Sequence, residues 1–173
     1  AGYATTADYN VAIGANAMVN NTSGTNTAIG RDALSSVTTT SGSTAIGHNA
    51  LKSATGAYNT AIGYDALYSN TSGQTNVAVG FQASFSNASG SDNTSMGMQS
   101  LYYNTASYNT GIGNLALHTN SSGYRNTAVG DNALKNNSTG FNNTALGHKA
   151  GYMETDGEGN VFIGGLSGEL ADG

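Results

Sequence analysis

The groups in this chain that could coordinate a metal or move a proton are few and far apart. The histidines are His48, His118 and His148. His48 and His148 occupy the same place in a repeated phrase but stand six repeats apart, roughly 29 Å at the spacing of stacked strands, too far to share a metal ion. Acidic residues gather near the C-terminus as Glu154, Asp156, Glu158, Glu169 and Asp172. The stretch "ETDGEG" at 154–159 hints at a calcium loop without the full spaced ligand set of an EF-hand. A solvated loop is the expectation there, and a weak calcium or surface-charge role the alternative. No other carboxylates pair as glycoside cleavage would require, and cysteine is absent. No catalytic residue, metal site or cofactor is expected, and so no enzyme.

Stacking and hydroxyl chemistry is better represented. Tyr68, Phe85 and Tyr102 recur every 17 residues beside Tyr64 and Phe81, which makes a candidate ligand strip whose flat rings would stack on a carbohydrate or receptor. The alternative is that these rings fill a groove between chains. Thr27, Thr44, Thr60, Thr94, Thr110, Thr127 and Thr144 form a second series, a ladder of the kind associated with ice-binding solenoids. Burial of that ladder between chains competes with ice as its explanation.

These series exist because nearly the whole chain is an array. Phrases such as "NTAIGRDAL" at Asn26, "STAIGHNAL" at Ser43 and "NTAIGYDAL" at Asn59 end on Gly14, Gly30, Gly47, Gly63, Gly80, Gly97, Gly113, Gly130, Gly147 and Gly164, ten copies 16 or 17 residues apart. A period so short and regular belongs to a solenoid, whose single repeat cannot bury a core alone. Residues 1–173 therefore read as a single repeat domain. Stacked at about 4.8 Å per layer, it makes a rod roughly 45–50 Å long.

Positions are counted from that glycine as 0. Position −1 is Ile13, Ile29, Ile46, Ile62, Val79, Met96, Ile112, Val129, Leu146 and Ile163, and position −2 is Ala in seven copies. A short β-branched run closed by Gly predicts a strand, and two apolar faces predict that it is sandwiched, one face against its own coil and the other against a partner. Position +3 is Ala or Ser in every copy and +4 is Leu in six. The stretch around them, "YDALYS" in one copy, is too short for a stable helix and is taken as a second short strand. Which of +3 and +4 faces inward is left open by the pattern. Asn at −4 in nine of ten copies predicts an amide ladder. Turns such as "NTSG" and "NASG" supply the Asn, Ser and Gly that tight bends need, and are where the 16-to-17 difference can be absorbed.

Composition excludes several classes. With 38% hydrophobic residues, 25 glycines and no Trp, the chain lacks bulk for an ordinary core. Disorder would leave no aliphatic residue before all ten glycines, and the net charge of −5 is modest. Five scattered basic residues and a pI near 4.8 argue against nucleic acid. No apolar run approaches a membrane span, so no membrane insertion by this segment is expected. Sequons such as Asn20-Asn21-Thr22 and Asn136-Asn137-Ser138 are expected by chance in an Asn/Ser/Thr-rich repeat.

The phrase N-x-A-[IV]-G-x-x-A-[LM] with its Gly-ended polar turn resembles the YadA-like head repeats of trimeric autotransporter adhesins. It is also similar to repeats in bacteriophage tail-fibre shafts. The resemblance covers about 10–168 and implies a left-handed parallel β-roll, intertwined or side by side in a homotrimer, with the −1 aliphatics near the three-fold axis or the seam. The adhesin repeat is usually a little shorter, and neither the coiled-coil stalk and membrane anchor of those adhesins nor the self-cleaving chaperone domain of phage fibres is present in these residues. What it implies of function is an extracellular, structural and adhesive rod at a bacterial cell surface or on a virion, touching a cell-surface glycan or receptor. An ice-binding solenoid and a filament subunit that polymerises head to tail are the alternatives.

Overall fold

The computed structural model describes residues 9–22, 24–36 and 38–169. Each repeat contributes one three-residue strand: β1 (Val11–Ile13), β2 (Thr27–Ile29), β3 (Thr44–Ile46), β4 (Thr60–Ile62), β5 (Val77–Val79), β6 (Thr94–Met96), β7 (Thr110–Ile112), β8 (Thr127–Val129), β9 (Thr144–Leu146) and β10 (Val161–Ile163). The ten lie parallel in one sheet in chain order. Register is strict: Thr27 pairs with Thr44, Ala28 with Ala45, Ile29 with Ile46. The fold is an all-β parallel solenoid that climbs one layer per repeat.

Strand residues alternate as the pleat demands. In β2 to β9 the middle residue is buried, and its neighbours at −3 and −1 point outward and are at least partly exposed. Ala28, Ala45, Ala61 and Ala78 thus line the interior, while Thr and the aliphatic share the outer face.

The segment after the glycine is not the second strand expected for it. Its +2 and +4 residues adopt left-handed backbone, for example Asp65 at φ 55° and Leu67 at φ 50°. Ala66 and Leu67, adjacent in sequence, are both fully buried, which a strand with alternating faces cannot achieve. The chain winds through consecutive turns whose N–H groups still bond between layers, Asp65 to the His48 carbonyl below at 2.9 Å and Leu67 to the Ala83 carbonyl above at 3.0 Å. Left-handed backbone costs a non-glycine residue roughly 1–2 kcal/mol. Those interlayer bonds and the full burial of Leu at +4 offset it. Both +3 and +4 face inward.

The glycine at 0 is required for two reasons. At Gly80, φ is +136°, and an added Cβ would stand 2.6 Å from the Gly97 carbonyl oxygen of the next layer. Volume is balanced layer by layer. In the last two repeats +4 becomes Gly151 and Gly168, and the ring of Phe162, which takes the usual Ala place at −2, fills the space.

Asn at −4 is buried and bonds mostly to backbone rather than amide to amide. Its Oδ1 accepts the N–H of the next layer's −4 residue, 2.9 Å from Asn76 to Asn59 and 3.0 Å from Asn93 to Asn76. Its Nδ2 donates to a turn carbonyl, as Asn76 does to Gly90 at 2.8 Å. A second buried column stands at +7: Asn70, Asn87, Asn104, Asn120 and Asn137 are all fully enclosed. Four residues lie between Asn104 and Asn109 and five between Asn120 and Asn126, so the variable residue lies in that turn. The apolar interior falls into two clusters. Between them lies a belt of hydroxyls in which Ser84 donates to Ser95 at 2.9 Å and Ser100 to the Gly111 carbonyl at 2.7 Å.

Candidate interaction surfaces

The −3 and −1 columns form a continuous outer face of ten layers. Ile13, Ile62, Met96, Leu146 and Ile163 are exposed, and Ile29, Ile46, Val79, Ile112 and Val129 are half-buried. The hydroxyls on this face differ from those of the +8 column. At +8, Thr55, Thr71 and Thr105 each donate to a carbonyl one layer up, at 2.6 to 2.8 Å. Among the described residues no side-chain hydrogen bond engages the seven threonines at −3. Their hydroxyls are turned to whatever lies outside the chain.

The aromatic strip expected from the spacing resolves into two columns. At +5, Tyr68 stacks on Phe85 and Phe85 on Tyr102, with centroids 5.1 Å apart in each pair and planes within 6°. At +1, His48 stacks on Tyr64 at 4.9 Å and Tyr64 on Phe81 at 5.6 Å. Among the described residues no ring contact joins the two columns. Stacking consumes the ring faces that were to receive a sugar, and the sides of the columns present ring edges and hydroxyls. Further members of the +5 column escaped the sequence reading: His118 stacks on Tyr102 at 5.4 Å, and the Lys52 ammonium covers the far face of Tyr68 at 5.6 Å. Their shared offset from the glycine was the available signal. Also missed was a cluster at the opposite turn, where Arg125 lies over Tyr108 and Tyr124, and Tyr124 stacks on Phe141 at 5.0 Å.

Titratable groups serve the stack. Asn16 donates to Asp32 at 2.8 Å, which with Arg31 and Lys52 holds that carboxyl below its ordinary value. Hydrogen bonds from Asn114 and Asn132, with His148 and Lys135 nearby, lower Asp131 likewise. Burial, helped by Lys135, lowers His118, and burial raises Tyr102. Glu154 of the candidate calcium loop takes the +7 place of Asn and accepts the Gly157 N–H at 2.6 Å. Among the described residues no three His, Asp or Glu converge on a metal position; Asp172 lies outside them. No protein-family model, curated protein or solved structure matches the chain.

Proposed function

We propose that this chain is a rigid segment of an extracellular homotrimeric fibre, a structural and adhesive rod of a bacterial surface adhesin or phage tail fibre. The observation that carries the reading is the unbroken −3/−1 face. A column of Ile, Val, Leu and Met outside a folded coil, ten layers long, is the kind of patch that soluble chains cover. Three chains packed side by side cover it, and three-fold symmetry repeats every surface site around the axis, so that weak contacts with a glycan or receptor add by avidity. The stacked side chains contribute stiffness; no chemistry is required of them.

Solution mass by light scattering tests the reading, with β content followed by circular dichroism. A mass near three times 17.4 kDa is expected. Ile62→Asp and Ile112→Asp place a charge on the outer face while leaving the core intact. They are expected to convert the trimer to folded monomers, and a variant that stayed trimeric would remove the face from the interface.

The unbonded threonine hydroxyls favour a second reading, ice binding by a monomer. A dry seam gains nothing from hydroxyls without partners, whereas a straight column of them can order water. A folded monomer with thermal hysteresis that Thr60→Leu and Thr110→Leu abolish would establish it.

A further inference from the structure

The outer columns change character along the rod. In the layers of β3 to β6 position +1 holds His48, Tyr64, Phe81 and Met98, next around the coil from the −1 aliphatics, with Tyr64, Phe81 and Met98 all nearly half exposed. In the layers of β7 to β9 the same position holds Asn114, Asp131 and His148. There Asn114 donates to Asp131 at 2.9 Å, and His148 lies 3.4 Å from the other carboxylate oxygen.

Resting on the trimeric reading above, we propose that a second copy of this chain occupies the β3–β6 patch, so that the interface widens from the −3/−1 face onto +1 there while the +1 column of β7–β9 stays hydrated. Area supports this. Nine interlayer steps of about 4.8 Å along a strip roughly 10 Å wide give the −3/−1 face only ~430 Å², about half of the ~800 Å² that a stable interface takes from each partner. A neighbouring column has to join it, and +1 carries large apolar side chains only within these layers, as Tyr64, Phe81 and Met98. Charge points to a copy of the same chain as the occupant. The −3, −1 and +1 positions of β3 to β6 contain no Asp, Glu, Lys or Arg, while the chain as a whole carries −5. This is where identical acidic chains meet with least repulsion. The His48–Tyr64–Phe81 stack is already ordered, so little side-chain freedom is lost on contact.

The test compares the whole chain, Tyr64→Ser/Phe81→Ser, and a control of two comparably exposed residues outside the −3, −1 and +1 columns, Tyr103→Ser/Met153→Ser, by light scattering over a concentration series. The wild type is expected to be trimeric, the patch variant to dissociate at tenfold or more higher concentration with its β spectrum retained, and the control to follow the wild type. Dissociation by the control alone, by both alike or by neither overturns the patch while the trimer stands. A folded wild-type monomer overturns the trimeric reading and the patch with it. Because the chain contains no Trp, Tyr64→Trp and Tyr103→Trp each supply a single reporter should the serine variant fail to fold. Iodide quenching reduced severalfold by association at position 64 and unchanged at 103 is expected; equal quenching at both overturns the proposal.

Discussion

At the scale of single residues, the buried asparagines do the work that strand ladders do in longer sheets. Asn109 donates to the Gly123 carbonyl at 2.8 Å and to Asn104 at 3.1 Å, and its Oδ1 accepts the Asn126 N–H at 3.0 Å. Asn109→Ala leaves those partners without replacements in a site closed to water. It is expected to cost about 2–3 kcal/mol, read from denaturant midpoints. The column was legible from the recurrence of Asn at −4. Its bonding was not, because the carbonyls it serves belong to turns whose path the sequence does not specify. His118 supplies a pH response. Its folded pKa lies below the ordinary 6.5 because burial and Lys135 disfavour the charged ring. Below that value the unfolded chain therefore binds a proton more readily than the folded one, so the contribution is whole above pH 6.5 and declines as pH falls. Asp32 and Asp131 have the same sign in a lower window, losing their contribution as pH falls below 3.8. Thermal melts between pH 7.5 and 5 should show the upper decline in the wild type and a flatter profile in His118→Gln.

At the scale of elements, the repeat consists of one strand and a winding turn, and the difference from two strands lies in backbone handedness. The sequence does hold a trace of it: +2 is Asn or Asp in five copies, Asn16, Asp32, Asn49, Asp65 and Asn132, and Asn and Asp tolerate the left-handed region best among residues with a side chain. The Leu at +4 hides the signal, since a branched apolar residue at positive φ runs against local preference and is held there by burial. Leu115 breaks the +2 pattern at φ 55° without the full burial of Leu117. Leu115→Asn is accordingly expected to stabilise the chain by about 0.5–1 kcal/mol, a rise of a few degrees in Tm. The strands themselves were legible as short runs before each glycine, because a β-branched run and its closing glycine are local properties. The aromatic columns were legible as spacings. That stacking would turn their faces onto one another follows from the layer separation, which only the assembled coil fixes.

At the scale of the whole molecule, each strand among the described residues contacts only the strands before and after it, so the stability of the coil is a sum of nearest-neighbour terms along the rod. The serine belt between the two core clusters is the place where that sum is smallest in apolar contact, and the exposed β3–β6 patch begins on one side of it and ends on it. The enclosed +7 column also constrains how the chain can be made. Asn70, Asn87, Asn120 and Asn137 each begin an Asn-X-Ser/Thr triplet, and each is sealed inside the coil. An oligosaccharide added there has no room in the finished roll. In a eukaryotic secretory pathway, where sugars reach a chain before it folds, each of these asparagines is a point at which one enzymatic event would hold two layers apart for good.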